Sequence, residues 1–167
     1  MSVPSKRPTV LVVDDEPFNQ SLMEEILNKE YSIHKSGSGP EALEYAFASP
    51  PDLILVDVMM PDMDGFEVCR RLKANDKTMH VPVIFITAKN EIKDEELGFS
   101  VGASDFIHKP ISAPIVSARV RTHLRIKMMQ DYLRGENSRL LQSTGEKSAE
   151  LQQLKDFVWG ADQLARR

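Results

Sequence analysis

The chain has 167 residues, 41% hydrophobic, 28% charged and 7% aromatic, with a formal net charge of −4; this profile suits a globular protein and excludes collagen-like, mucin-like and wholly disordered chains. Residues 1–124 hold 13 basic against 19 acidic side chains and residues 125–167 hold 8 against 6, so neither part is basic enough to suggest nucleic-acid binding. No apolar run approaches the roughly 20 residues that span a bilayer, no signal-peptide stretch precedes Asp14, and the single cysteine, Cys69, lacks a partner for a disulfide or Cys-x-x-Cys site. A cytoplasmic protein without membrane contact, stabilised by packing, is expected.

Five apolar or β-branched runs follow in chain order: Thr9–Val13, Tyr31–Lys35, Leu53–Asp57, Val83–Thr87 and Asp105–His108. Each is trailed by a helix-like segment, the alternation that requires crossover connections and a parallel sheet. The first, third and fourth runs are apolar nearly throughout, as strands buried on both faces are. Helix starts are marked by Pro17 after Asp15-Glu16, Pro40 after Ser38-Gly39, Asp64-Gly65 before Phe66, Asn90 before Glu91, and Ser112 before Pro114. In the third helix Phe66, Cys69 and Leu72 recur at three-residue steps, with Arg70, Arg71 and Lys73 elsewhere on the turn, predicting one face against the sheet.

The expected architecture is therefore α/β, a doubly wound five-stranded parallel sheet over residues 9–124 behind a flexible N-terminus, residues 1–8. Residues 125–167 contain no strand-like run and read as helix interrupted at Gly135, Gly145 and Gly160. Leu151, Leu154, Val158, Ala161 and Ala165 step by three and four, so this tail is expected to be a helical linker or a coiled-coil-like dimerisation arm, or else an amphipathic helix packed on its own domain.

Doubly wound sheets bind ligands at the carboxyl ends of their strands. There the chain places Asp14-Asp15 after the first strand, Asp57 at the end of the third, Thr87 at the end of the fourth and Lys109-Pro110 after the fifth. Crowded carboxylates repel unless a cation neutralises them, and hard oxygen ligands with room for water suit Mg²⁺. A carboxylate beside such an ion can attack phosphorus while the hydroxyl and ammonium take the phosphoryl oxygens, so an aspartyl phosphate is the chemistry expected.

Four segments carry this constellation: Val-Asp-Asp-Glu-Pro (13–17), Leu-Val-Asp-Val-Met-Met-Pro-Asp-Met-Asp-Gly (55–65), Ile-Thr-Ala (86–88) and Phe-Ile-His-Lys-Pro (106–110). Together, over residues 9–124, they resemble the receiver domain of two-component response regulators. The resemblance implies a flavodoxin-like fold with Asp57 as phosphoacceptor. It implies that Asp15 ligates Mg²⁺ directly and Asp14 mainly through water, with Asp57 and the Met59 carbonyl completing the protein ligands, and that Thr87 and Lys109 contact the phosphoryl oxygens. It further implies a cis bond before Pro110, a phosphohistidine donor on a sensor histidine kinase or phosphotransfer protein, and an output surface on helix four, strand five and helix five.

In that family the position held by Phe106 is often tyrosine, so the ring can turn inward as Thr87 moves but offers no hydroxyl. Met59 and Lys89 stand where the family tunes phosphoryl lifetime; Met59 has no group to orient water, and a persistent phosphoryl state is expected. The stretch Ser117–Leu124 is similar to receivers fused to cyclic-dinucleotide enzymes, with no activity implied here. A homodimer through the helix-four, strand-five and helix-five face or through the tail would fit.

Competing readings are weaker. A haloacid-dehalogenase-like phosphatase also uses a strand-end aspartate and Mg²⁺, but its nucleophile lies on the first strand with a second aspartate two residues on, where this chain has Glu16 after Asp14. An inactive docking module would not need all five site residues. Gly37-Ser-Gly-Pro-Glu-Ala42 fits a dinucleotide fingerprint but follows the second strand, and Asp62-Met-Asp-Gly65 lacks the remaining ligands of a calcium loop; both are expected to be turns. His34, His80, His108 and His123 show no metal-ligand spacing.

Overall fold

The strand runs are short, β-branched and apolar, and in the computed structural model, which describes residues 6–88 and 92–164 with the side chains of 92, 93 and 157–164 excepted, they form one parallel sheet. The elements are β1 (Thr9–Val13), α1 (Pro17–Leu27), β2 (Ser32–Ser36), α2 (Gly39–Ala48), β3 (Leu53–Asp57), α3 (Gly65–Lys73), β4 (Val83–Thr87), α4 (Ile92–Ser100), β5 (Asp105–His108) and α5 (Ala113–Leu164). The sheet order is β2-β1-β3-β4-β5, the flavodoxin-like winding, which reverses direction between β1 and β3.

Alternation along each strand divides the core in two. Val10, Val12, Leu53, Leu55, Ile84, Ile86 and Ile107 face α1 and α5, where Met23, Leu27, Val116, Val120 and Leu124 cover them. Leu11, Val13, Ile54, Val56, Val83, Phe85 and Phe106 face α2 and α3, meeting Ala42, Leu43, Ala46, Val68, Cys69 and Leu72. The expected Phe66-Cys69-Leu72 face of α3 is buried, and Val68 joins it. Two-sided burial explains why β3 and β4 carry no exposed residue. The edge strand β2 is largely polar and exposes Ser32 and Lys35, which discourages pairing with another chain.

Local chemistry sets the helix starts. Ser38 Oγ accepts from Glu41 N at 3.4 Å and Asp64 Oδ1 from Glu67 N at 2.8 Å, so the Gly37–Ala42 and Asp62–Gly65 segments are a helix cap and a turn, with Asp62 at a φ of 66°. Gly65 has a second role: its N–H donates to Val58 O at 3.0 Å, and a Cβ there would collide with the Asp57 carbonyl.

Two expectations are corrected. β2 begins at Ser32 because Tyr31 N donates to Leu27 O at 3.1 Å, tying that residue to the end of α1; the pairing then starts with Ser32 N donating to Pro8 O at 2.9 Å. Helix α5 runs unbroken through Gly135, Gly145 and Gly160. A glycine costs a helix only about 1 kcal/mol relative to alanine, and the Leu, Gln, Lys, Arg and Glu between them are strong helix formers. Nothing lies within 4 Å of where a Cβ at Gly135 or Gly145 would be, so neither marks a bend or a close approach. Contacts group Met1–Lys127 into one compact unit and Met128–Arg167 into another. Lys89, the Asn90-Glu91 helix start and Ala165 lie outside the described residues, as do the side chains of Val158, Trp159 and Ala161.

Gly65→Ala should destabilise the fold by about 2 kcal/mol or more, the penalty of forcing an atom against fixed backbone, read as a lower urea midpoint; an unchanged midpoint would show that β3 and α3 can separate freely.

Candidate functional site

Four of the five strands, β1, β3, β4 and β5, deliver polar residues to the same edge. Asp14 and Asp57 are 2% and 4% exposed and Thr87 is fully buried. Asp57 closes β3 beside the winding reversal, and Asp14 follows β1 on the other side of it. One carboxylate oxygen from each of Asp14, Asp15 and Asp57 can lie within 4.8 Å of the other two. Lys109, two strands away, reaches across the end of β4 to place Nζ 2.7 Å from Asp57 Oδ2.

The backbone holds these side chains in place. Met59 N donates to Asp57 Oδ1 at 2.9 Å, so both carboxylate oxygens are engaged and the carboxylate plane is fixed. Lys109 N donates to Thr87 O at 2.8 Å and Val58 N to Ile86 O at 3.1 Å, and the Lys109–Pro110 bond is cis. Sequence reasoning missed Gln20, whose Nε2 donates to the carbonyls of Asp14 at 2.6 Å and Ser36 at 3.2 Å, joining the ends of β1 and β2; a polar residue on an amphipathic helix gives no signal of this.

Electrostatics explains what the cluster needs. Burial pushes the Asp14 carboxyl up to about 6, opposed by the hydrogen bond from Glu16 N and assisted by the charge of Asp57. For Lys109, burial opposes the charged form, but the bond to Asp57 and the charges of Asp57, Asp14 and Glu16 outweigh it, holding the ammonium above its ordinary range. One ammonium against three carboxylates leaves an excess of negative charge at this edge, and an oxygen-rich donor set of this kind fits Mg²⁺.

Phe106 belongs to the core beside this edge. Its ring is already turned inward, 4% exposed, with its centroid 5.4 Å from Phe85 and 5.1 Å from Phe99. Space for it comes from Gly98 of α4, where a Cβ would collide with the ring. The glycine inside a helical pattern was the available sequence signal. Cys69 is buried, its thiol pushed up to about 11 by burial, and takes no part. The histidines are spent elsewhere among the described residues: His34 stacks on Tyr45, His108 meets Glu95, and His123 meets Asp105.

Residues 10–121 match the model of the response regulator receiver domain. Over 150 residues the chain is 43% identical to a Vibrio cholerae protein described as a probable cyclic di-GMP phosphodiesterase, covering 90% of this chain and 34% of that one. Over 126 residues it is 48% identical to response regulator PleD of Caulobacter vibrioides, covering 75% of this chain and 28% of that one. The chain thus spans about a third of the length of these curated relatives. The solved receiver domain of a signal transduction histidine kinase from Syntrophus aciditrophicus superposes with a TM-score of 0.66 at 33% identity, covering 71% of this chain and 90% of that one.

Because the folded value for Asp14 lies above the unfolded value near 4, protonation favours the folded chain: this stabilisation is full below about pH 4 and gone above about pH 6. Asp14→Asn should therefore stabilise the metal-free protein at neutral pH by about 2 kcal/mol. In urea titrations with chelator present the gain should vanish toward pH 4, and a neutral-pH loss would contradict the analysis.

Proposed function

The chain belongs to the response regulator receiver domain family, phosphoryl-accepting signalling switches, and we propose that Asp57 is the carboxylate on which it accepts the phosphoryl group. The observation that carries this is the position of Asp57 at the end of the middle strand, with its oxygens held by Met59 N and Lys109 Nζ beside Asp14 and Asp15. The phosphatase alternative has no support in the family match.

Asp15 directly, Asp14 mainly through water, Asp57 and the Met59 carbonyl would hold Mg²⁺. When bound, the ion would neutralise the acidic cluster and draw charge from the phosphoryl oxygens. A carboxylate oxygen of Asp57 attacks phosphorus as the P–N bond of the donor phosphohistidine breaks, its electron pair returning to the imidazole. Lys109 shifts from Asp57 Oδ2 to a phosphoryl oxygen, and the Thr87 hydroxyl takes another. The chain acts on its own carboxylate and on no other substrate.

A seat for the donor lies beside Lys109: a cleft of about 290 Å³ lined by Phe18, Asn19, Leu22, Lys109, Pro110 and Ile111, with the Phe18 ring 75% exposed. A sensor histidine kinase or phosphotransfer protein would bury that ring against its own apolar surface. The output is a population shift: phosphoryl contacts hold Thr87 toward Asp57 and retain Phe106 inward against Gly98, fixing the α4-β5-α5 surface for a partner, a second receiver or an output domain. We take residues 9–124 as the receiver of a cytoplasmic regulator and the helix that continues from it as a linker; residues 1–5 and 165–167, at the ends of the expected lead and tail, lie outside the described residues. Among the described residues no helix is long and apolar enough to cross a membrane.

Incubated with acetyl phosphate and Mg²⁺, the chain should gain one phosphoryl group and Asp57→Asn none, measured by intact mass; undiminished labelling of the variant would overturn the assignment. With Met59 offering no group to orient water, the phosphoryl group should outlast minutes at neutral pH, and loss within seconds would contradict that.

A further inference from the structure

The three carboxylates of the acidic edge are not held alike. Asp57 is gripped at both oxygens, by Met59 N at 2.9 Å and Lys109 Nζ at 2.7 Å, and Asp14 Oδ1 accepts from Glu16 N at 2.8 Å. Asp15 is exposed, and among the described residues no group bonds or pairs with its carboxylate. Its placement is therefore set by the backbone it leaves, the Asp14–Asp15 peptide.

One side chain holds that peptide. Gln20 Nε2 donates to Asp14 O at 2.6 Å and to Ser36 O at 3.2 Å, so both hydrogens of the amide nitrogen are spent on carbonyls where β1 and β2 end. Ser36 O also accepts from Asp14 N at 3.2 Å. The same β2 oxygen thus anchors the Asp14 N–H directly and the Asp14 carbonyl through the Gln20 amide. Gln20 is itself half-buried in the first turn of α1, where its N–H donates to Glu16 O at 3.3 Å.

We propose that Gln20 is a positioning residue of the metal site: by fixing the Asp14 carbonyl it aims the Asp15 carboxylate toward Asp14 and Asp57 and so sets the affinity for Mg²⁺. The proposal rests on the reading of this edge as a Mg²⁺ site and adds to it a residue that touches neither the ion nor the phosphoryl group. Torsions that must be fixed when a ligand arrives subtract from affinity; with the peptide already held, that ordering precedes binding. The amide is neutral, so it orders the loop without a charge that would repel a cation.

Isothermal titration of Mg²⁺ into the full chain tests this without a phosphoryl donor. Gln20→Met, similar in length but without the donors, should weaken Mg²⁺ binding about tenfold or more, and Gln20→Asn, too short to reach both carbonyls, should weaken it as well. In acetyl phosphate labelling, the Mg²⁺ concentration giving half the maximal rate should rise by the same factor in Gln20→Met while the rate at saturating Mg²⁺ holds, because Asp57, Thr87 and Lys109 are untouched. Thr78→Val removes a buried hydrogen bond to Leu72 O in the α3–β4 connection; it should lower the urea midpoint and leave Mg²⁺ affinity unchanged. Unaltered Mg²⁺ affinity in both Gln20 variants, or an equal loss in Thr78→Val, would overturn the proposal and leave the reading of the edge standing. An unsubstituted chain that binds no Mg²⁺ would overturn both.

Discussion

The contact between Lys109 Nζ and Asp57 Oδ2, 2.7 Å long, is the interaction on which the chemistry proposed for this molecule depends. It joins residues 52 positions apart in sequence across the end of an intervening strand, so it exists only if the sheet is wound in this order. It also leaves a deficit. A single ammonium stands against Asp14, Asp15 and Asp57, two of them almost fully buried, and burial, assisted by the charge of Asp57, raises the Asp14 carboxyl to about 6. Such a site is unfavourable for the apo fold and favourable for a cation, and a divalent cation together with Lys109 balances the three carboxylates, so that an incoming phosphoryl group no longer meets an excess of negative charge.

The rest of the fold serves to hold that edge still. Strands buried on both faces cannot shift register without moving a whole core layer, and the strand ends are joined by short backbone bonds and by the Gln20 amide. At the opposite end of β5, Asp105 accepts from Arg119 at 2.6 Å and meets His123 at 2.9 Å. Burial would raise that carboxyl, but the Arg119 and His123 bonds outweigh it and hold it below the usual carboxylate range. Both partners lie on α5, so these contacts fix the start of that helix against the strand whose other end presents Lys109.

Much of this was legible because it is written locally. Strand runs, helix caps and the residue at each strand end are properties of short windows, and the winding follows from their alternation. Less legible was whatever depends on two distant segments meeting. The role of Gln20 is decided by the carbonyls it finds, the inward Phe106 by the absence of a side chain at Gly98, and the Asp105 triad by how α5 crosses β5. The one-residue offset of β2 has the same origin, since Tyr31 is claimed by the end of α1. The glycines of the tail misled in the other direction: local propensity argued for breaks, and the helix formers around them outweighed it.

The central claim is that this edge binds a phosphoryl-like anion only when a divalent cation offsets its carboxylates, with Lys109 taking part. Isothermal titration of beryllofluoride measures this directly. Binding is predicted with Mg²⁺ present, absent with chelator, and much weakened in Lys109→Ala; equally tight binding without the cation would contradict the account.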